Sequence, residues 1–488
     1  MDVFKKIYDC IVIGDNLGGI ALATLLEKRG ANVLLLMNKN DNHTFYYKDY
    51  ELDIDTPFIA GIERGDFFKK ILCEINYDIT HEFNDTNPLY QFITPDVRLN
   101  LFTDLKMQRA EFRREFHTSL DQIFKTQTIA NEVNKIYCLF LEANSNILCT
   151  RNIFKIKYLE HKLKKLLVDF KEVLHKESIP DQMSSEFFVP MSNAFTYLAD
   201  QTANNLHFYS NVSCNYKKIT ERFLNFSMLK NFFIDHFKNF RGDIENINEL
   251  DGFNFKGTSL KGITLNKGAK EFFCRYIVFN GSFSAIANKL NGGLWVKGLK
   301  KILASTINKN FFFRVHYIVD QTVLPVGLHK RGIIIPDETK RPIHFCITNN
   351  THTHQKATIT ASIEMPLDKK YTDEDYKQCI KYLRQSIQNL IPFFEDYIVD
   401  EFPRENVFET EEKELFNKYL RFLLASDYNY TVVNKRNPIS LLQGRSISTP
   451  FSNVFIQGRS ILPGFGATGE IIAAHTIADH ITNKVRFY

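Results

Sequence analysis

The feature that most constrains this chain is a strand–turn–helix–strand pattern in its first forty residues. Tyr8–Ile13 is a short apolar run rich in β-branched side chains, which is typical of a buried parallel strand. A glycine turn follows, then Ile20–Arg29 with apolar residues at helical spacing, and a second apolar run at Ala31–Met37. Together they predict a βαβ unit, whose crossover is right-handed. An α/β, Rossmann-like domain with a mostly parallel sheet is therefore expected.

The turn of this unit, residues 14–19, predicts a dinucleotide site. Backbone N–H groups at a helix N-terminus stabilise a pyrophosphate, and glycines allow close approach. Two residues depart from the usual G-x-G-x-x-G arrangement. Asn16 replaces its middle glycine, and Met37 stands where an acidic residue would accept the ribose hydroxyls. The residues expected at the nucleotide are Gly14, Asn16, Gly18, Gly19 and, as a weaker ribose acceptor, Asn38. The alternative is a fold that kept its shape and lost this half-site.

The last forty residues repeat the pattern. Asn453–Gln457 is another buried-strand run, and Ile471–Ile481 has helical periodicity. The loop between them contains more glycines than a packed turn requires. Such a loop exposes backbone N–H groups. Its candidate cofactor-binding residues are Gly458, Pro463, Gly464, Gly466 and Gly469. For Arg459 and Glu470, which flank the loop, a salt bridge or solvent exposure is expected rather than ligand contact.

In these two terminal units, the chain resembles the phytoene desaturase, carotenoid isomerase and retinol saturase branch of the FAD-dependent amine-oxidase superfamily. The N-terminal match covers residues 11–36, and the C-terminal match covers 453–481 with its P-G-x-G-x-x-G loop. Fainter parallels are Asp55–Pro57, Ser227–Phe240 and residues 243–281. The resemblance implies FAD in an extended form. Its adenosine would lie near the first turn and its isoalloxazine near the second.

Two functions follow from the resemblance and from the departures, which include loss of the family's glycine pair in residues 40–47. The first is an FAD-dependent oxidoreductase, desaturase-, isomerase- or saturase-like, acting on a hydrophobic substrate, isoprenoid or polyene. The flavin would carry the redox chemistry, so no catalytic residue is assigned. The second is a flavin-free binding, chaperone or assembly module, for which a protein partner is expected. The Rab GDP-dissociation inhibitors resemble this fold and act as lipid-binding chaperones without flavin. The second predicts that side chains such as Met37 or Tyr46 fill the space beside Asn16.

The middle of the chain predicts a second, interleaved α+β domain of the substrate type. Segments 1–57, 216–300 and 440–488 are assigned to the FAD-binding domain, and 58–215 with 301–439 to the substrate domain. Residues 58–215 are helix-rich by periodicity, whereas 305–365 alternate as strands of a sheet that would roof an apolar cavity. The amphipathic segment His161–Lys176 is expected to pack on the core, with an anionic membrane surface as the alternative.

Composition excludes several other classes. A formal charge of +5, from 61 basic and 56 acidic residues, is too balanced to indicate nucleic acid binding. Eight scattered cysteines form no C-x-x-C pair, so neither zinc nor a disulfide framework is expected. His352 and His354 lack an acidic or cysteine partner, so no metal is expected. With no signal peptide and no run of ~20 apolar residues, a cytoplasmic protein, at most peripheral to a membrane, is expected.

Overall fold

The computed structural model describes residues 6–38, 44–54, 65–78, 88–117, 119–150, 152–168, 188, 212–213, 226–247, 250–268, 270–281, 289–290, 293–303, 306–336, 341–349, 355–409, 411–425, 429–432, 439 and 442–484. Numbered in chain order, the strands are β1 Ile7–Ile13, β2 Val33–Asn38, β3 Thr44–Tyr47, β4 Tyr50–Asp53, β5 Tyr90–Ile93, β6 Arg98–Leu101, β7 Asp243–Ile247, β8 Leu250–Lys256, β9 Ser259–Leu265, β10 Lys270–Asn280, β11 Thr306–Asp320, β12 Arg331–Ile334, β13 Ile343–Asn349, β14 Lys356–Pro366, β15 Ile398–Phe402, β16 Asn429–Val432 and β17 Val454–Gln457. The α-helices of the described part are α1 Leu17–Lys28, α2 Phe67–Glu74, α3 Leu105–Glu115, α4 Leu120–Asn144, α5 Ile153–Leu166, α6 Phe226–Asn239, α7 Leu294–Leu303, α8 Asp373–Gln388, α9 Lys413–Ala425 and α10 Gly466–Thr482.

The first sheet joins the two ends of the chain. Its order is β7-β2-β1-β10-β9-β8, and β17 pairs with the second half of β10. The pairs β7–β2, β2–β1, β1–β10 and β10–β17 are parallel, whereas β8 and β9 are antiparallel. Helix α1 packs against α6 and α10, and α10 also packs against α2. The expected α/β dinucleotide-type fold is thereby confirmed, with the C-terminal strand and helix completing the N-terminal unit.

The second sheet has the order β15-β11-β14-β13-β12-β5-β6, and β16 pairs with the first half of β11. Only β12 and β5 are parallel among these pairs. The strands expected within 305–365 are all present. β5 and β6 were missed, because the segment 58–215 was interpreted by its helical periodicity alone, although it also contributes α2 to α5.

The two faces of the second sheet differ. Phe313 lies against Tyr376 of α8 and Phe416 of α9, with ring centroids 5.4 and 6.5 Å away, and forms part of a second apolar core. Strand alternation places Arg314 and His316 on the opposite face, where both are fully buried. This face is therefore polar at its centre, and the expected apolar roof is not what it presents.

Domain boundaries stay a prediction, although packing shows how the pieces mix. The β3–β4 hairpin lies within the segment 1–57, yet Phe45 and Tyr47 stack on Phe402, with ring centroids 5.5 and 4.5 Å away. The hairpin thus belongs to the second apolar core. Leu163 of α5 and Leu167 directly after it pack in the core as expected, whereas Leu166 is 48% exposed.

Candidate functional site: two glycine turns closed by a buried ion pair

The two glycine turns meet at one edge of the first sheet. Ile277 of β10 pairs with Ile11 of β1 on one side and with Val454 of β17 on the other. Because all three strands are parallel, their carboxyl ends lie together. The N-termini of α1 and α10 follow from these ends and are brought to the same place. This is the crevice in which open α/β sheets bind ligands.

The glycines of the first turn are required by contacts within the protein. A Cβ at Gly14, whose φ is +111°, would lie 1.9 Å from the carbonyl oxygen of Asn280. A Cβ at Gly19 would lie 2.0 Å from Asn280 Nδ2, and one at Gly18 would lie 2.1 Å from Gln457 Nε2. The absence of a Cβ at these three positions therefore allows the turn to pack directly against Asn280 and Gln457.

Asn280 holds this turn through its amide. Its Nδ2 donates to the carbonyl oxygens of Gly14 at 3.2 Å and Asn16 at 3.1 Å. Asn16 is the N-cap residue of α1, but its side chain makes no cap hydrogen bond. Its carbonyl oxygen accepts from the N–H of Gly19 at 3.0 Å. Asn16 is thus accommodated in place of glycine, because its carbonyl oxygen is hydrogen-bonded within the protein.

A buried carboxylate occupies the N-terminus of α1. The N–H of Gly18 donates to Glu470 Oε2 at 3.1 Å, and Arg459 Nε lies 3.3 Å from Glu470 Oε1. The two side chains are 3% and 0% exposed, so the expected salt bridge is confirmed and solvent exposure is wrong. A helix N-terminus attracts negative charge, and here the chain supplies that charge from α10.

The second turn is enclosed rather than open. Every residue from Asn453 to Ala474 is buried. The expected loop up to residue 470 ends earlier, because α10 begins at Gly466 and takes Gly466 and Gly469 into its first turns. A Cβ at Gly469 would lie 2.4 Å from the carbonyl oxygen of Leu462, so this glycine also serves internal packing.

The loop is covered by the fourth helix. Phe465 meets Tyr137 of α4 edge to face, with ring centroids 5.7 Å apart, and Tyr137 is fully buried. Gly464 and Pro463 lie beside Phe465 in a short 3-10 turn and are buried as well. Gly458 has a φ of +123°, and a Cβ added to it would lie 3.4 Å from the backbone nitrogen of Gly281. The predicted flavin-ring residues are therefore buried, with Tyr137 packed directly against Phe465.

These residues do not fit the diphosphate of FAD in the expected place. The N–H groups of Gly18 and Gly19 already donate to Glu470 and to the Asn16 carbonyl. A phosphate at this place would compete with the Glu470 carboxylate for the Gly18 N–H, because that donor is already taken. Met37 packs against the apolar core of the first sheet and its helices. The side chain of Asn38 lies outside the described part.

Two further side chains that close the turn were not assigned from the sequence. Tyr46 was expected to fill the space beside Asn16, but it is 64% exposed on the hairpin. Asn280 lies beside Asn16 instead, and Gln457 lies beside Gly18. The sequence signal for Asn280 and Gln457 is that each is the polar residue that ends an apolar run. Asp55–Pro57, His352 and His354 lie outside the described residues.

A second buried polar group lies on the polar face of the second sheet. Ser362 of β14 pairs in register with Arg314 of β11 and with His344 of β13. His316 contacts Thr360 Oγ1 through Nδ1 and the Tyr419 hydroxyl through Nε2, both at 2.9 Å. Burial, with the Arg314 charge nearby, lowers the pKa of His316 and of His344 to about 3. Both imidazoles are therefore neutral at pH 7.

Neither a metal-ligand cluster nor a membrane-spanning helix is present among the described residues. No three histidine, cysteine, aspartate or glutamate side chains are grouped as metal ligands would be in this part of the chain. No described helix is long and apolar enough to cross a bilayer.

Comparison with known proteins places the fold. No family model and no curated protein sequence matches the chain. Among solved structures, wild-type putrescine oxidase bound to putrescine is 10% identical, with 98% of this chain and 99% of that chain covered and a TM-score of 0.58. Cyclohexylamine oxidase from Brevibacterium oxydans IH-35A is 14% identical, with 98% and 99% covered and a TM-score of 0.53. An oxidoreductase from Methanosarcina mazei is 12% identical, with 96% and 100% covered and a TM-score of 0.54. The chain has the fold of these oxidoreductases over nearly its whole length.

Proposed function

We propose that this chain is a flavin-free binding protein built on the amine-oxidase fold, with its nucleotide site closed by its own carboxylate. The observation that carries the proposal is the buried contact of Glu470 with the Gly18 N–H and with Arg459. A protein of this kind would keep the two-domain scaffold to hold an apolar ligand or a protein partner, as a chaperone or assembly module does.

The energetics favour the closed site. Removing one member of a buried ion pair costs about 3–5 kcal/mol, because the remaining charge is left without compensation. A diphosphate would have to displace Glu470 from Gly18 and rearrange the first turns of α10. Those turns are fixed by Gln457, whose Nε2 donates to the Glu470 carbonyl oxygen at 2.8 Å.

The test is an absorption spectrum of the purified full-length protein, repeated on the supernatant after denaturation, followed by titration with FAD. The proposal expects no flavin bands and no uptake of added FAD. Release of flavin in near-stoichiometric amount would overturn it.

A second candidate is the FAD-dependent oxidoreductase acting on a hydrophobic, isoprenoid or polyene substrate. The observation that favours it is a pair of buried donors, Asn16 Nδ2 and Ser460 Oγ, without hydrogen-bond partners among the described residues. They belong to the two glycine turns, and ligand oxygens are the partners such donors require. The flavin, when bound, would supply the redox chemistry while these side chains bind and orient it.

One isosteric variant tests the second candidate. If FAD binds at the first turn, Asn16→Asp exchanges a donor for a negative charge and should weaken FAD uptake by about tenfold or more. Unchanged uptake by a variant that melts like the wild type would place the flavin elsewhere and remove the observation on which the second candidate depends.

A further inference from the structure

Helix α5 has one face in the core and another in solvent. Ile156, Leu159 and Leu163 are 0, 5 and 1% exposed and pack inward. Asn152 caps the helix by accepting from the N–H groups of Phe154 at 3.0 Å and Lys155 at 3.2 Å. The outward face is therefore held in a fixed orientation from its first turn.

The outward face combines aromatic and basic side chains. Phe154 is 85% and Tyr158 is 67% exposed, and the two rings lie one helical turn apart on the same face. Residues spaced by three or four along a helix share a face, so the same face continues toward the C-terminus. We name it the α5 face: Phe154, Lys157, Tyr158, His161, Lys164 and Lys165, all exposed.

The charge of α5 is strongly one-sided. Between Asn152 and Val168 the chain carries five lysines and one acidic residue, Glu160. Lys164 and Lys165 lie in the last helical turn. An interfacial helix has this composition, with lysines that meet anionic headgroups and aromatic rings that enter the headgroup boundary. A protein partner is less suited, since lysine is depleted at protein–protein interfaces.

We infer that the α5 face docks this protein on an anionic phospholipid surface. The aromatic rings supply apolar area and the lysines supply attraction to negative headgroups. The inference is independent of whether flavin binds, because α5 lies apart from the two glycine turns in the sequence and none of its exposed residues contributes to them.

The test uses full-length protein and sedimentation with vesicles of phosphatidylcholine, with or without phosphatidylserine. The wild type should bind vesicles that contain phosphatidylserine, release them at high salt, and leave neutral vesicles unbound. Each lysine near such a surface contributes about fivefold in partitioning, so Lys164→Glu/Lys165→Glu should lower binding by about twentyfold or more.

Three further variants make the outcome specific. Phe154→Ala/Tyr158→Ala should lower binding by about tenfold, whereas Phe154→Trp/Tyr158→Trp should retain it, because Trp suits the interface. Lys370→Glu/Lys381→Glu changes the net charge equally at exposed positions near and on α8 and should bind as the wild type does. Melting temperatures confirm that each variant is folded.

Two results would overturn the inference. One is a wild type that fails to bind vesicles with phosphatidylserine, or a control pair that loses binding equally. The other is concentration-dependent self-association that Phe154→Ala/Tyr158→Ala abolishes in the absence of vesicle binding, which would assign the face to a second copy of the chain.

Discussion

Glu470 lies where a dinucleotide fold ordinarily presents bare backbone donors to a ligand. Its carboxylate is fully buried, accepts from Gly18 and pairs with Arg459. In the low dielectric of the interior such a pair is sensitive to loss of either member. The pair therefore links the first turn of α1 to α10, in addition to closing the site.

Replacing Glu470 tests this link. Glu470→Ala should lower the free energy of unfolding by about 3–5 kcal/mol, because Arg459 loses its buried partner and Gly18 its acceptor. Glu470→Gln keeps the volume and an acceptor oxygen and should lose less than the alanine variant. Urea denaturation measures both. Equal midpoints for wild type and Glu470→Ala would show that the pair contributes nothing to stability.

A single methyl group tests the enclosure of the second turn. Gly469→Ala would place its Cβ 2.4 Å from the Leu462 carbonyl oxygen, so α10 must shift, at about 1–3 kcal/mol. Gly252→Ala is the matched control, since nothing lies within 4 Å of its added Cβ. Thermal and urea unfolding should separate the two variants, and a Gly469→Ala protein as stable as its control would contradict the close packing.

At the scale of elements, strand alternation gives β11 two different faces. Phe313 packs against α8 and α9, whereas Arg314 and His316 lie on the other face of the strand, among Ser362 and Thr360, where the Tyr419 hydroxyl of α9 reaches His316. The histidines are held neutral by burial, with Arg314 nearby as a further cause. The free energy of unfolding therefore depends on pH through this sheet, as it would not through a wholly apolar sheet.

Acid should weaken this sheet. The folded pKa of His316 and His344 is about 3, below the ordinary value of 6.5, so only the unfolded chain gains these protons between pH 6.5 and 3. Above pH 6.5 the two histidines do not reduce the free energy of unfolding. Below that pH, each of them lowers it by about 1.4 kcal/mol for every unit by which the pH decreases.

Urea unfolding at pH 7.5, 6.0 and 5.0 measures this slope. His344→Gln removes one titrating group and should flatten the dependence by about 1.4 kcal/mol per pH unit. An unchanged slope in His344→Gln would refute the assignment.

At the scale of the whole molecule, the chain returns on itself to finish its first sheet. β17 pairs with β10, and α10 packs against α1 and α2. The first apolar core accordingly combines Leu17 and Leu25 with Ile471 and Ile477. Neither end can bury its apolar face without the other.

Truncation tests this dependence. A chain ending at Ser452 lacks β17 and α10, so the buried faces of α1 and β10 would be exposed to solvent. It should be recovered in insoluble form or without a cooperative unfolding transition, as judged by yield and circular dichroism. Coexpression of a 453–488 fragment should restore soluble, cooperatively folded protein. A truncated chain that folds alone would contradict the shared core.

The sequence by itself determined the two strand–glycine–helix units, the α/β class and the strands of 305–365, because periodicity and glycine placement are local properties of the chain. For Arg459 and Glu470 it left a salt bridge and solvent exposure both open, and the structure shows that the two side chains pair with each other. Only the tertiary structure decided what that pair contacts, because Gly18 is 452 residues away from Glu470. The same holds for Asn280 and for the polar row through Ser362. Such contacts depend on which strands become neighbours and in what register, and no local pattern encodes that.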